Sequence, residues 1–378
     1  MKKICIFTYS FMHRHHTMVN YHIENLFGGN SCVCCRNRTD FQTVERSVLE
    51  RSEIKRGYLD PLHGMIKKYR NKLNGLPSFS IYGAERAHII DFLKSEHVDV
   101  VLCEFGDIGA DVAYALGDID IPIYTYFRGY DGTMRMRSAR QRKLVAAAFR
   151  NMKGVFFVSE YLRESLSAYG INHPNSHVIP SGVSTDKFFP GTKIKGKFIA
   201  VGRLIEKKRP DLTVEAFCHE AKYYPEATLD VLGGGQMFDV CQEIVRREGM
   251  ERKVKLLGEQ PHEVVLQHLR SAQYFLQHSA TSAAGDAEGA PTSIQEAMAC
   301  GCVVVATRHA GIPWLIEDGK TGFLVNELDV VGYRHLIRSA LEGELDADRT
   351  GTAARDFATA NLDNRVLIKR LESALKFE

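Results

Sequence analysis

The stretch from Glu288 to Glu296 reads EGAPTSIQE and runs on into AMACGCVVVAT. Two carboxylates bracket Gly289, Ala290, Pro291, Thr292 and Ser293 at the edge of an apolar run. Pro291 suits the first turn of a helix, where its missing N–H would be unpaired anyway. Thr292 and Ser293 add small polar groups at that start, and Ile294, Ala297 and Met298 form an apolar face at helical spacing. Gly301 reads as the glycine that ends the helix, and Cys302 to Ala306 as a buried strand. The N–H groups of a helix start bind anions, and small residues beside them let a ligand approach the backbone. The chemistry implied is a phosphate at the helix start with carboxylates accepting hydrogen bonds from hydroxyls. A sugar nucleotide offers both groups. The same acids can also serve as partners of the helix dipole alone.

Three other stretches carry compatible chemistry. FIAVGRLIEKKRPDLTVEAF places Gly202 and Arg203 after a strand, then Lys207 and Lys208 before a helix. Arg brings a donor fork and Lys a point charge, a sound pairing for a diphosphate; surface cations on a loop are the plainer reading. LGGGQ, around Gly234, is a glycine turn after a strand that permits close backbone approach. LLGEQPHEVVLQHL, with Gly258, is strand, turn and helix, suited to walling a base pocket or to simple packing.

The elements that must hold these residues follow an α/β rhythm. Strand-like runs such as KICIFTYS, VDVVLCEF, IPIYTYF, GVFFVS, KFIAVG, ATLDVLG and CVVVAT alternate with amphipathic helical segments. The rhythm restarts after VIPSGVSTDKFFPG, a segment rich in Gly, Pro and Ser that reads as a linker. With 378 residues, the expected architecture is two Rossmann-like doubly wound domains, 1–190 and 191–355, followed by a terminal helix over 356–378 that crosses back to the first. Ligands are expected outside the carboxyl ends of the strands.

Composition bounds the rest. No apolar run approaches the roughly 20 residues that span a bilayer, and the apolar run in MKKICIFTYSFMHRHH is too short for a signal peptide. A cytoplasmic protein is expected. The nine cysteines sit largely in apolar runs, which favours buried free thiols. CVCC (Cys32 to Cys35) lacks a second pair at zinc spacing and reads as strand, and no metal site is expected. Residues 1–190 carry 25 Lys+Arg against 19 Asp+Glu, the remainder 24 against 27. The excess concentrates in KKYRNK (Lys67 to Lys72) and RMRSARQRK (Arg135 to Lys143). Such clusters suit an anionic membrane surface or a solvated helix face. Nucleic acid is not an expected partner, because net charge is small and no aromatic-interleaved module is present.

In order, VGRLIEKK, VLGGGQ, KLLGE, GDAEGAPTSIQEAMACG and ATRHAGIPWLIEDGKTGFLV, with GVFFVSEYLRESLSAYGI and HVIPSGVSTDKFFPG before them, resemble glycosyltransferase family four, the retaining nucleotide-sugar enzymes of GT-B fold. The likeness is dense over 154–330 and diffuse before it; GDAEGAP with TRHAGIP looks most like the bacterial capsule, exopolysaccharide and colanic-acid branch. The resemblance implies a first domain that binds the acceptor and a second that binds the donor. Glu288 and Glu296 then match the family's two acids, for donor-sugar hydroxyls and ribose hydroxyls. Arg203 and Lys208 match its diphosphate cations, and amides around Gly289 to Ser293 would touch sugar and phosphates. The implied reaction is transfer of a sugar, from a UDP-sugar by preference or a GDP-sugar, to a saccharide or lipid-linked saccharide, with retention and without a metal or other cofactor. Where many members carry a Gly-Gly loop, this chain has SFMHRHHTMVN, so that His13, His15 and His16 fall where acceptor contacts are expected. Where many carry H-G-x-D, it has Arg128, Gly129, Tyr130 and Asp131; Arg128 and Asp131 are the catalytic candidates of the first half. The rival readings are a GT-B epimerase or phosphorylase and an inactive sugar-nucleotide-binding scaffold.

Overall fold

The apolar runs form two all-parallel sheets, and inner strands such as Val100–Cys103, Ile123–Phe127, Gly154–Phe157 and Val303–Thr307 are buried on both faces as such sheets require. The structure, a computed structural model, describes residues 2–13, 16–39, 44–55, 57, 58, 60–73 and 80–375, without the side chain of His63. The first sheet comprises β1 (Ile4–Phe11), β2 (Ser31–Arg38), β3 (Val48–Glu50), β4 (Val100–Cys103), β5 (Ile123–Phe127), β6 (Gly154–Phe157) and β7 (Ser176–Val178), in the order β3-β2-β1-β4-β5-β6-β7. The second comprises β8 (Ile194–Val201), β9 (Thr228–Leu232), β10 (Val254–Gly258), β11 (Ala272–Gln277), β12 (Val303–Thr307) and β13 (Gly322–Val325), in the order β10-β9-β8-β11-β12-β13. Each order reverses beside its first strand, the switch point at which doubly wound sheets bind ligands.

Helices cover the first sheet: α1 (Thr17–Asn25), α2 (Asp60–Leu73), α3 (Gly83–Ser95), α4 (Gly106–Leu116), α5 (Ala139–Phe149) and α6 (Glu160–Ser167). The second has α7 (Pro210–Ala221), α8 (Phe238–Arg247), α9 (His262–Ser271), α10 (Thr292–Ala299), α11 (Val330–Glu342) and α12 (Ala347–Asn361), and the chain ends on α13 (Asn364–Ala374). Two compact units result. One runs to Pro180 and takes up the chain again from Ile368; the other is Ser181–Leu367.

Specific bonds account for those limits. Val183 donates its N–H to Leu362 O (2.8 Å) and accepts from Asn364 N–H (3.0 Å), and the Thr185 hydroxyl donates to the Asp363 carboxylate. Arg355 donates to the carbonyls of Phe188, Ala299 and Thr185. Residues 181–190, at the end of the expected first domain, are thereby tied into the second unit. Beyond Ile368, Glu372 accepts from Phe27 N–H (2.6 Å) and Arg370 donates to Val178 O (3.2 Å), both within the first unit. CVCC lies within β2, and all nine cysteines are buried and free. Among the described residues no group of three or more His, Cys, Asp or Glu could hold a metal.

Candidate functional site

In the second unit, glycine turns at the carboxyl ends of β8, β9 and β10 are laced side by side. Gly202 N–H donates to Leu232 O (3.0 Å), Leu204 N–H to Gly234 O (2.8 Å) and Gly233 N–H to Gly258 O (2.8 Å). Only glycine fits at 233: its φ is +147°, and a Cβ there would stand 1.9 Å from Gly202 O. The lacing fixes the edge from which Arg203 and Lys208 project. Arg203 is exposed, and with Gly202, Lys208 and Gln277 it lines a small hollow beyond β8. Lys208 closes a short 3-10 turn, Glu206–Lys208, followed by Arg209 at φ +41°. A non-glycine residue in left-handed backbone costs of order 1 kcal/mol and marks a turn held by its surroundings.

The Lys208 ammonium lies 3.1 Å from Glu288 Oε1 and 3.3 Å from Gln277 Oε1. Burial pushes the Lys208 pKa down; Glu288 opposes this, while Lys207 and Arg203 add to it. Burial alone would raise the Glu288 carboxyl, but Lys208 and then Lys207 outweigh it and hold the group at about 2. Glu288 is therefore an anion at any physiological pH. Its Oε1 faces Lys208 at 3.1 Å, and a carboxylate oxygen with one such partner keeps a further lone-pair direction for a ligand hydroxyl. Lys207 does different work: it donates to Asp286 Oδ1 (3.1 Å) and Ala287 O (3.4 Å), fixing the loop that leads into Glu288.

The helix that EGAPTSIQE foreshadows is α10. It starts at Thr292, with Pro291 one step before it, and no side chain caps it. Ser293 donates to Gln277 Oε1 (3.2 Å), so Gln277 joins the helix start to Lys208. Gln295 donates to Ala290 O (3.2 Å) and Pro291 O (3.5 Å) and accepts from Gly182 N–H (2.8 Å), shaping the turn over Gly289–Pro291. Gly301 ends the helix at φ +69°. Glu296 meets His262 Nε2 at 3.2 Å, and this bond is the chief reason the His262 pKa is raised.

A second layer positions Glu288. Its N–H donates to His309 Nε2 (3.1 Å), while His309 Nδ1 lies 2.7 Å from Glu327 Oε1. With Nε2 accepting, the ring proton must sit on Nδ1 and point at Glu327, so the two bonds select one tautomer. Gly311 N–H donates to Glu288 O (3.3 Å). Ala310, between them, sits at φ +47°.

The first unit treats its ionised groups differently. Asp131 accepts from the N–H groups of Arg128 (2.9 Å), Gly129 (2.8 Å), Gly132 (3.1 Å) and Gly106 (2.7 Å), which ties the loop after β5 to the start of α4. The Arg128 guanidinium bonds to the Glu104 carboxylate and, through Nε, to Glu104 O (3.1 Å), and lies 4.2 Å from the Tyr126 ring centre. Glu104 is fully buried and also meets His22 Nδ1 at 2.6 Å. Burial would raise its carboxyl, but Arg128 and His22 hold it at about 2. His13 and His16 pack ring on ring at 4.5 Å, and His16 lies 5.4 Å from Phe105. His15 lies outside the described residues.

The residues singled out in the second half thus converge at one edge of one unit, and Arg128, Asp131, His13 and His16 at the strand ends of the other. Gln277, Gln295, His309 and Glu327 in the second unit, with Glu104 and His22 in the first, are supporting residues that motif spacing did not reveal. The one signal was polarity: each of Glu104, Gln277 and His309 follows or ends an apolar strand, where a polar side chain needs a partner.

Residues 185–357 match the family model described as Glycosyl transferases group 1, and residues 35–187 that described as Glycosyltransferase Family 4. The putative colanic acid biosynthesis glycosyltransferase WcaL of Escherichia coli (strain K12) is 30% identical over 78% of this chain and 76% of its own length. The GDP-mannose-dependent alpha-(1-6)-phosphatidylinositol monomannoside mannosyltransferase of Mycolicibacterium smegmatis is 30% identical over 58% of this chain and 61% of its length. In fold, the crystal structure of Anabaena Alr3699/HepE in complex with UDP superposes with a TM-score of 0.80 over 99% of both chains at 15% identity. This chain belongs to glycosyltransferase family four and is a glycosyltransferase of GT-B fold.

Proposed function

We propose that the protein transfers a sugar, with retention, from a nucleoside-diphosphate sugar to a saccharide or lipid-linked saccharide in polysaccharide or glycoconjugate assembly at the cytoplasmic side of a membrane. The observation that carries this reading is the cluster at one edge of the second unit: exposed Arg203, buried Lys208 paired with ionised Glu288, and the uncapped start of α10. Arg203, Lys208 and the amides from Gly289 to Ser293 would hold the diphosphate and stabilise the charge that develops on it as it leaves. Glu288 would accept from donor-sugar hydroxyls, and Glu296 from those of the ribose. Gly202, Gly234 and Gly258 let the nucleotide lie against backbone.

The acceptor hydroxyl would attack from the face the diphosphate leaves, with a phosphate oxygen taking its proton, so the reading calls for no metal or other cofactor. Arg128 and Asp131 would shape the first unit's loop, and His13, His15 and His16 would lie on the acceptor side. A UDP-sugar is preferred: UDP is bound in the solved Anabaena protein. GDP-mannose dependence in the mycobacterial relative keeps a GDP-sugar as the alternative. Release of UDP or GDP from a panel of nucleotide sugars, with the anomeric configuration of the product read by NMR, tests the reading. Inversion at the anomeric carbon would refute retention, and no release with any donor would favour the inactive scaffold.

A further inference from the structure

The helix α2 is built the wrong way round for a helix of a soluble surface. Its buried positions are Asp60 and Asn71, with Gly64 against the Tyr82 ring. Its apolar residues, Leu62, Met65, Ile66, Tyr69 and Leu73, recur at the spacing of a single helical stripe and are all 54–70% exposed. Asp60 fixes the near end, accepting from the N–H groups of Gly57 (2.7 Å) and Ala84 (3.1 Å), so the stripe is held outward by the packing of the opposite face. A surface helix normally turns such a stripe inward, where burial takes its apolar area out of water.

Charge says what covers it. Beyond Asp60 the helix carries Lys67, Lys68, Arg70 and Lys72, all exposed, and no acid. A hollow of about 320 Å³ on the same element is lined by Met65, Lys67, Lys68, Asn71, Tyr82 and Arg140. Arg140 belongs to the second basic stretch, RMRSARQRK, so both cation-rich stretches of the first unit meet at one place. A second copy of the chain laid on this face would bring like charges together. A helix with an apolar stripe between basic residues, and a cationic hollow beside it, has the make-up of one that lies in the headgroup plane of an anionic bilayer.

We propose that α2 is a membrane-docking helix: the stripe Leu62–Met65–Ile66–Tyr69–Leu73 enters the acyl boundary of an anionic lipid surface, while Lys67, Lys68 and Arg140 receive lipid phosphates. The inference gives a place to the lipid-linked acceptor of the proposed function and rests on that reading for its purpose, though not for its test.

The test is co-sedimentation of the whole chain with vesicles of phosphatidylcholine alone and of phosphatidylcholine mixed with phosphatidylglycerol. Partitioning to the mixed vesicles is expected, weakening with salt. A stripe variant (Leu62→Gln, Ile66→Gln, Tyr69→Ser) and a charge variant (Lys67→Gln, Lys68→Gln, Arg140→Gln) are each expected to lose roughly ten-fold or more, and Tyr69→Trp emission should shift to the blue on binding. All substituted side chains lie in the open, and an unchanged Tm and nucleotide response would show that the fold is intact. Wild type left in the supernatant, a stripe variant that partitions like wild type, or a concentration-dependent dimer abolished by the stripe variant would each overturn the proposal. The nucleotide response would stand in any of these cases, so failure here is separable from failure of the transferase reading.

Discussion

Both units set a basic side chain against a buried carboxylate at the carboxyl edge of a parallel sheet, and they use it in opposite ways. In the first, Arg128 is spent: Glu104, the Tyr126 ring and the loop carbonyl take up its guanidinium, and His22 takes the far oxygen of Glu104. In the second, Lys208 pairs with Glu288 at 3.1 Å, Arg203 stands exposed beside it, and burial, with the neighbouring cations adding to it, pushes the Lys208 pKa down. A saturated pair holds a fold together, whereas a crowded group of cations gains when an anion arrives. The family match leaves open which half of the chain holds which kind of pair; the hydrogen bonds around each distinguish them.

The contrast can be broken most forcefully at Arg128. Arg128→Met strands the buried Glu104 charge and should destabilise the first unit by about 3–5 kcal/mol. Adding Glu104→Leu should recover most of that loss, as read by urea unfolding with hydrogen exchange in β4 and β5. No recovery would mean that Arg128 has a role the pair does not explain. In the second unit, Lys208→Ala should cost about 10²–10³ in kcat with the fold retained, as steady-state kinetics beside a Tm measurement would show. His309→Ala removes the acceptor for Glu288 N–H and the donor for Glu327 and should cost about 1–3 kcal/mol in stability. His309→Gln should restore part of it if positioning is the role.

The smallest effect is on pH dependence. The His262 pKa lies above its ordinary 6.5 because of its bond to Glu296. The stability from that pair is fully present below the ordinary value and is lost as pH rises through the folded one. An NMR titration of the His262 ring should show the raised value in wild type and its fall in Glu296→Gln; equal values in both would remove Glu296 as the cause.

What was legible in the sequence was what lies close together along the chain. Glu288 and Glu296 share one loop and helix, and Arg203, Lys207 and Lys208 share one turn, so spacing drew notice to them, and the resemblance to the family singled out Lys208. Their supports come from other strands: Gln277 ends β11, His309 follows β12, and Glu327 follows β13. Only the strand order β8-β11-β12-β13 places these ends side by side. KKYRNK shows the same limit. Its cations were plain in the sequence, but periodicity alone implies that Leu62, Ile66 and Tyr69 face inward. Packing through Gly64 and Asn71 turns them out.

The claim at the centre of this account is that the open cation cluster of the second unit exists to hold a nucleotide diphosphate. It is tested most directly by thermal unfolding of wild type and of the Arg203→Ala, Lys208→Ala variant with UDP, GDP and their sugars. A ligand that binds only the folded state at a hundred times its Kd adds about 2.7 kcal/mol. The account expects one nucleotide class to raise the wild-type Tm and to leave the variant unmoved. Equal shifts in both proteins, or none in either, would contradict it.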